Sequence, residues 1–202
     1  MRLPEPATSL APSLTDALWS RRSHYAFAPR PLELGALSTL LRLSVGVSRT
    51  VAAYDDPAHP LSLAPSAGGL RSLTTYVLAR DAEDLAAGVY AYDPVEHALV
   101  PGGSDLGALG SAYVQPEFAA RAPVSLALAA HLDVALAKYP PRHFRTLHVD
   151  AGIAVQNLYL VGTALGLACC AVSGFHDERL AALLELPASS IPMMLFPVGH
   201  LP

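Results

Sequence analysis

The adjacent residues Lys138 and Tyr139 are the first candidates for chemistry, because Lys138 is the only lysine in the chain. Every other residue of the Lys and Arg group is an arginine. A lysine removed from water can lose its proton near neutral pH and act as a base, whereas an arginine cannot. A tyrosine hydroxyl both donates and accepts hydrogen bonds. The pair therefore indicates proton transfer, and the alternative is a solvated lysine on a surface loop that Pro140 and Pro141 end.

A second candidate is the run Arg21, Arg22 and Ser23, which places two guanidinium groups and a hydroxyl near the end of a predicted helix. Arginine binds phosphate through two parallel hydrogen bonds, and a serine hydroxyl can add another. The run therefore predicts an anion or phosphate site. The alternative is a pair of solvated arginines, which the negative end of the helix dipole favours.

A third candidate is the loop formed by Pro65, Ser66, Ala67, Gly68 and Gly69, which has little side-chain bulk. Its two glycines let backbone N–H groups approach a planar or anionic ligand closely. The alternative is a simple turn before the next strand. The loop is not a P-loop, because no Gly-Lys-Ser/Thr follows it, and the chain has no Gly-x-Gly-x-x-Gly pattern of a dinucleotide-binding fold.

The histidine and cysteine positions predict no metal site and no disulfide framework. His143 and His148 are five residues apart, so they do not share a helical face as a spacing of four would allow. Cys169 and Cys170 are the only cysteines, and their adjacency disfavours a bridge between them. We predict two inert, buried thiols and a reducing, cytoplasmic location.

The composition predicts one folded domain with a large apolar core. The chain has 202 residues, of which 52% are hydrophobic and 15% are charged, and its net charge is −4. Disorder is not expected, and no basic surface for nucleic acid is indicated. So few charges indicate that a partner or a second copy covers some apolar surface. We predict a loose, proline-rich arm over residues 1–12 and a single domain over residues 13–202.

The stretch 151–172 has no charged residue and is long enough to cross a bilayer. However, Gln156, Asn157, Thr163 and three glycines interrupt it, and no basic cluster flanks it. Polar groups are costly in lipid, so we predict a buried helix of a folded core and no membrane association.

The hydrophobic periodicity predicts helices and strands that alternate irregularly. Helices are expected from near Ser13, after Pro31, around Leu106, from Phe144 or Leu147 to about Gly166, and over 177–184. Strands are expected over 73–79, 87–92, 98–100, 124–131, 167–172 and 193–198, with a loop at 54–62 where two Pro and two Asp occur. Strand 124–131 is nearly all apolar, as a strand buried on both faces is. The pattern is typical of an α+β fold in which helices cover a mostly antiparallel sheet.

Four short motifs follow one another in a characteristic order. They are Arg-Arg-Ser-His-Tyr-Ala-Phe at 21–27, Pro-Ser-Ala-Gly-Gly-Leu-Arg-Ser at 65–72, Asp-Ala-Gly at 150–152 with Gln-Asn-Leu at 156–158, and Ser-Gly-Phe at 173–175. In these motifs the chain resembles the nitroreductase superfamily and, more closely, its SagB-type, thiazole/oxazole-forming dehydrogenase branch. The resemblance extends from about Leu14 to Leu201 and implies a nitroreductase-like α+β fold that forms a domain-entwined homodimer, with FMN in clefts at the subunit interface.

The resemblance also implies cofactor-binding roles near the amino terminus. Arg21 and Ser23 match the residues that contact the flavin phosphate and ribityl chain, with Arg22 between them. Many nitroreductases have further basic residues after the final strand, whereas this chain ends at Pro202. Phosphate binding is then expected to rest on Arg21 and Arg22, with His200 as a further candidate.

Further roles implied by the resemblance concern the flavin ring. Ser66, Ala67 and Gly69 match a loop that reaches the flavin from the partner subunit. Gly174 matches a turn whose backbone faces the isoalloxazine ring, although Ser173 stands where many members have an acid. Ile153 also differs from the histidine that is common in the branch.

Lys138 and Tyr139 fall where this branch has a catalytic Lys-Tyr pair. The resemblance thus implies an FMN-dependent dehydrogenase that oxidises thiazoline or oxazoline rings of a modified peptide to azoles, with a cyclodehydratase as a candidate partner. Two alternatives stay open. One is an NAD(P)H-dependent nitro or quinone reductase, which needs no such pair, and the other is a flavin-free scaffold of the same fold.

Overall fold

The computed structural model describes residues 1–103, 105–119 and 121–202, and its elements alternate as an α+β chain does. The helices are α1 (Leu14–Ser20), α2 (Leu34–Val45), α3 (Leu109–Ala112), α4 (Pro116–Ala119), α5 (Leu132–Lys138), α6 (Phe144–Ala164) and α7 (Asp177–Leu183). The strands are β1 (Val47–Ala53), β2 (Asp56–Ser62), β3 (Leu73–Ala79), β4 (Gly88–Asp93), β5 (Ala98–Pro101), β6 (Val124–His131), β7 (Leu167–Cys169) and β8 (Ser190–His200). Short 3-10 turns cover Ala67–Gly69 and Pro141–His143.

A six-stranded sheet with the order β5-β4-β3-β6-β8-β7 forms the centre of the fold. Its neighbouring strands are all antiparallel, and β3 pairs with β6 from Leu73 opposite Ala130 to Ala79 opposite Val124. The predicted strands 73–79 and 124–131 have the observed bounds. The prediction of an α+β fold with a mostly antiparallel sheet flanked by helices is therefore confirmed.

Side-chain alternation along the central strands divides the core between the two faces of the sheet. Val77 on β3 contributes to the larger cluster, which contains Leu40 of α2 and Leu158 of α6. The next residue, Leu78, contributes to the other cluster, which contains Leu180 of α7. Strand β6 is buried along nearly its whole length because helices cover both faces, as its continuous apolar sequence predicted.

Helix α6 connects the regions that carry the candidate residues. Leu147, Ala151, Ala154 and Leu158 are buried at helical spacings of three and four, so one face of the helix packs on the core. Val149 lies on the outer side and is exposed. Among the residues that the structure describes, no helix is long and apolar enough to span a membrane.

The loop predicted for residues 54–62 is wrong, because residues 56–62 form β2 and pair with β1 in a separate antiparallel hairpin. Pro57 and Pro60 lie within β2. Proline lacks a backbone N–H, but a two-stranded hairpin has free outer edges where that donor is not needed. The register also shifts twice along the pair. The turn places Tyr54 and Asp55 at φ values of 54° and 60°.

The start of the predicted loose arm also departs from expectation. The Met1 amino group donates to the Leu99 carbonyl at 2.7 Å, and Arg2 forms a bridge with Ala98 of β5. Leu3 is buried in the larger core cluster. These three residues extend the sheet edge because β5 offers unpaired backbone groups there.

Candidate functional site

Lys138 and Tyr139 lie at the carboxyl end of α5, next to the Pro65–Gly69 loop. Lys138 Nζ donates a hydrogen bond to the Tyr54 hydroxyl, which in turn donates to the Gly68 carbonyl at 2.5 Å. A Cβ added to Gly68 would collide with the Tyr139 hydroxyl and come within 3.1 Å of Lys138 Nζ. The structure therefore brings the ammonium, two phenols and the glycine loop together.

The charge on Lys138 is stabilised rather than suppressed in the single chain. Its pKa is raised, mainly by the hydrogen bond with Tyr54; desolvation acts in the opposite direction, and Tyr139 raises the pKa further. The ammonium also lies 4.3 Å from the Tyr54 ring centroid and 5.0 Å from that of Tyr139, within cation–π range. Lys138 is exposed, so the desolvation that a neutral lysine base requires is not present in one chain.

A buried carboxylate holds the backbone of the Pro65–Gly69 loop in place. Asp150 of α6 is 4% exposed and accepts from the Ala67 N–H, with Oδ2 at 3.1 Å and Oδ1 at 3.2 Å. Burial raises the pKa of Asp150, and the Ala67 hydrogen bond acts in the opposite direction. The Ser66 hydroxyl donates to the Leu70 carbonyl at 2.8 Å. This loop therefore has a defined backbone conformation that can face a ligand.

Arg21 and Ser23 are brought to the other end of α6, where they contact Tyr159. The Ser23 hydroxyl lies 2.9 Å from the Tyr159 hydroxyl, and the Arg21 guanidinium carbon lies 5.0 Å from the Tyr159 ring centroid. Tyr159 also accepts from the Ala171 N–H at 2.6 Å. The buried Tyr159 side chain thus contacts both Arg21 and Ser23, two of the predicted cofactor-binding residues.

Arg22 and His200 do not join that group in the single chain. Arg22 is exposed, and its guanidinium donates to the Trp19 and Arg21 carbonyls at 2.8 Å each, near the carboxyl end of α1. This is the helix-end arrangement considered as the alternative for the arginine pair. His200 is buried, with Nδ1 2.5 Å from Arg30 and Nε2 2.9 Å from Glu33.

A cavity of about 250 Å³ opens beside Ser23 and includes Gly174 in its lining. Cys170 and Tyr25 also border this space. A Cβ at Gly174 would meet only the Val114 Cβ at 3.8 Å, so the backbone of the turn is approachable. The Ser23 hydroxyl and the open Gly174 turn line this cavity, and Arg21 shares its Tyr159 contact with Ser23. Together these groups suit a phosphate-bearing planar cofactor such as FMN. Ligand pockets typically span about 300–1,000 Å³, so a further surface would be needed to enclose it.

The two groups of predicted residues are separated along α6. Asp150 marks the group with Lys138, and Tyr159 marks the group with Ser23. Nine residues of α-helix correspond to about 14 Å. One chain therefore places the predicted residues in two half-sites: Ser66, Ala67, Gly69, Lys138 and Tyr139 in one, and Arg21, Ser23 and Gly174 in the other.

The buried thiols have the inert character that the sequence predicted. Both cysteines are free and buried, and burial raises the pKa of Cys169 to about 12. Burial also raises the pKa of Cys170. Across residues 1–103, 105–119 and 121–202, no cluster of three or more His, Cys, Asp or Glu side chains could hold a metal ion.

Three residues of these half-sites were missed as site residues in the sequence: Tyr54, Asp150 and Tyr159. Tyr54 fell in the segment predicted as a loop, and its neighbours gave no periodic signal. Asp150 is the only charged residue of α6 that is buried, so a carboxylate on an apolar helical face was a usable signal. Nothing in the local sequence distinguishes Tyr159 from an ordinary core aromatic residue.

Comparison with known proteins supports the architecture described above. The chain is 30% identical to a protein of Ralstonia eutropha JMP134 named provisionally as a nitroreductase, and the match covers 99% of this chain and 88% of that one with a TM-score of 0.83. A chain of the Escherichia coli microcin synthetase McbBCD complex, solved with truncated pro-MccB17 bound, shares the fold at 21% identity and a TM-score of 0.76. That match covers 97% of this chain and 75% of that one.

A similar relation holds at the level of sequence. The chain is 34% identical over 189 residues to MJ1384 of Methanocaldococcus jannaschii, also named provisionally as a nitroreductase, with 93% of this chain and 90% of that protein covered. The family model described as "Nitroreductase family" matches residues 18–200. This match and the 34% identity show that the chain belongs to the nitroreductase family.

Proposed function

We propose that the chain is an FMN-dependent dehydrogenase that oxidises thiazoline or oxazoline rings of a modified peptide to thiazoles or oxazoles. Membership of the family supports an oxidoreductase, and members generally use flavin. The observation that carries the finer proposal is the position of Lys138 and Tyr139 against Gly68 of the Pro65–Gly69 loop. A nitro or quinone reductase has no need for a lysine–tyrosine pair at that place.

The cofactor site is proposed to form between two copies of the chain. Arg21 and Ser23 would hold the phosphate and ribityl groups of FMN, and the turn at Gly174 would lie along its ring. The Ser66–Gly69 segment of the second copy would close the site from the other side. In one chain about 14 Å of α6 separates the two half-sites. This separation supports a cofactor site that a second copy completes.

The reaction removes one proton and one hydride from the azoline ring. When bound, FMN supplies the hydride acceptor at its N5 atom, and oxygen can reoxidise it. Lys138 keeps its proton, because the hydrogen bond to Tyr54 raises its pKa. We therefore assign the proton-accepting role to Tyr139 in its phenolate form, which becomes a phenol when it takes the ring proton, and assign to Lys138 the stabilisation of the phenolate charge before that transfer.

Substitution of Lys138 tests the proposal most directly. Lys138→Ala should leave FMN bound, because no cofactor contact is assigned to that side chain, and should abolish the oxidation of a thiazoline-containing peptide. Lys138→Arg is the matched control, since it keeps a cation that cannot act as a base. We expect Lys138→Arg to retain more activity than Lys138→Ala. Undiminished oxidation by Lys138→Ala would remove the pair from the mechanism.

A second candidate function is an NAD(P)H-dependent nitro or quinone reductase. The names of the relatives from Ralstonia eutropha and Methanocaldococcus jannaschii favour it. Rapid bleaching of bound flavin by NADPH, with turnover of a quinone and no requirement for Lys138, would support this candidate over the first.

A third candidate is a flavin-free scaffold of the same fold. The visible absorption spectrum of the purified protein separates it from the others, because oxidised flavin gives two characteristic bands. A colourless protein that takes up no added FMN would support the scaffold.

Partner and location belong to the same proposal. The fold shared with a chain of the microcin synthetase complex supports a cyclodehydratase as a partner that delivers the azoline peptide. Two free thiols support a reducing compartment, and we place the reaction in the cytoplasm.

A further inference from the structure

The hairpin of β1 and β2 has no assigned role, yet its turn carries a side chain into the half-site of Lys138. Tyr54 precedes β2 and is 84 residues from Lys138 in the chain. Its φ of 54° lies in the left-handed region, which a bulky residue adopts at a cost. Surrounding contacts must therefore hold this residue in place.

The contacts of Tyr54 all lie in the half-site that contains Lys138. The Tyr54 hydroxyl accepts from Lys138 Nζ and donates to the Gly68 carbonyl at 2.5 Å. The His59 ring contacts the Tyr54 ring edge-on at 4.9 Å, and His59 Nε2 lies 2.9 Å from the Gly69 carbonyl. The hairpin therefore contacts the backbone carbonyls of Gly68 and Gly69, and it also accepts a hydrogen bond from Lys138.

The Tyr54 hydroxyl holds the Lys138 ammonium by a direct hydrogen bond, and the Tyr139 ring adds a contact with its centroid at 5.0 Å. Lys138 is the last residue of its helix and is exposed, and a lysine side chain has four rotatable bonds. Tyr139 caps the carboxyl end of α5, and its ring stacks on His143 at 4.3 Å. The Tyr139 phenol is thereby oriented by its own partner, whereas the Lys138 ammonium has its largest interaction with Tyr54.

We propose that Tyr54 is a positioning residue that holds the Lys138 ammonium against the Gly68 backbone, and so fixes the charge beside the Tyr139 hydroxyl. This inference rests on the proposed function for its effect on turnover, but the contact itself is independent of any substrate. The groups that face the ammonium are the Tyr54 and Tyr139 phenols, and both raise the pKa of Lys138.

The single lysine makes a direct test possible. Protein labelled with ¹⁵N at the lysine side chain gives one Nζ resonance, and its titration reports the pKa of Lys138 in the full-length protein. Tyr54→Phe keeps the ring and removes the hydroxyl, and we expect the titration of Lys138 to move to lower pH. Tyr139→Phe is the matched control, and it should move the titration less, because Tyr54 contributes the larger effect.

Turnover of a thiazoline peptide is measured on the same variants. Tyr54→Phe should lower the rate about tenfold, as expected for loss of a hydrogen bond to a charged group. An unchanged Nζ titration in Tyr54→Phe would overturn the contact, and an unchanged rate would overturn its role in the reaction. If Lys138→Ala keeps full activity, the proposed function fails while the Nζ titration still decides the contact.

Discussion

At the scale of single residues, the site depends on small groups that leave room for larger ones. Gly68 has a φ of 62°, and the space where its Cβ would stand is taken by the Tyr139 hydroxyl. Gly166 has a similar φ of 71°, but no atom lies within 4 Å of its missing Cβ. Gly68 is thus needed both for its positive φ and because a Cβ would collide with Tyr139. Gly166 is needed for its positive φ alone.

This difference makes a prediction for two alanine substitutions. Both Gly68→Ala and Gly166→Ala should lower the free energy of unfolding by roughly 1–2 kcal/mol, because each places a Cβ in a left-handed conformation. Only Gly68→Ala should also displace Tyr139 and reduce azoline oxidation. Denaturant unfolding and turnover measured on both variants check this, and full activity in Gly68→Ala would contradict the close approach of the phenol.

At the scale of elements, α6 links the two half-sites. Asp150 near its amino end holds Ala67, and Tyr159 near its carboxyl end holds Ser23. Each contact joins segments that are far apart in sequence, by 83 and 136 residues. Because an α-helix is rigid over this length, it keeps a constant distance between the loop and the arginine–serine segment.

Asp150 makes the stability of this element depend on pH. Burial raises its pKa above the ordinary value of 3.8, so the folded state binds its proton more tightly than the unfolded state does. Its contribution is therefore fully present below pH 3.8 and is lost as the pH rises through the raised folded-state pKa. Asp150→Asn keeps an oxygen for the Ala67 N–H and removes this titration.

We therefore expect the free energy of unfolding of the wild type, relative to that of Asp150→Asn, to fall as the pH rises from below 3.8 toward neutrality. Chemical denaturation at a series of pH values measures this difference. A difference that is constant with pH would show that Asp150 has the same pKa in the folded and unfolded states.

At the scale of the whole molecule, the outer surfaces of α1 and α6 carry apolar side chains that a lone chain leaves in water. Trp19 is 79% exposed and Val149 is 58% exposed. Exposed apolar side chains of this size support a protein interface. This surface, together with the incomplete half-sites, supports the homodimer of the proposed function.

Val149→Arg should convert the proposed dimer to a monomer, because it would bury a guanidinium without a partner. Loss of the second subunit should also release FMN. Val95→Arg is the control, since Val95 is 50% exposed between β4 and β5, away from α1 and α6. Light scattering after gel filtration gives the mass, and the flavin absorbance gives the cofactor content. A wild-type monomer that binds FMN would contradict the two-chain site.

The strands and helices followed from the sequence where a local period was strong. In β6 the signal is a continuous apolar run, and in α6 it is the spacing of three and four between buried residues. Each pattern depends only on neighbouring residues in the chain, so the sequence is enough to predict how that element packs on the core. The β1–β2 hairpin was missed because its prolines are typical of loops, and its free edges permit them only in the folded arrangement. The docking of Met1–Leu3 was missed for a related reason, since it depends on the open edge of β5.

The sequence by itself determined the fold class, the buried thiols and the residue types available for chemistry, because these depend on composition and short-range pattern. Only the tertiary structure decided that Tyr54 binds Lys138, that Asp150 holds the glycine loop, and that Arg22 turns away toward its own helix. Contacts of this kind join segments distant in the chain, and their geometry is set by how the helices pack on the sheet rather than by the residues beside them.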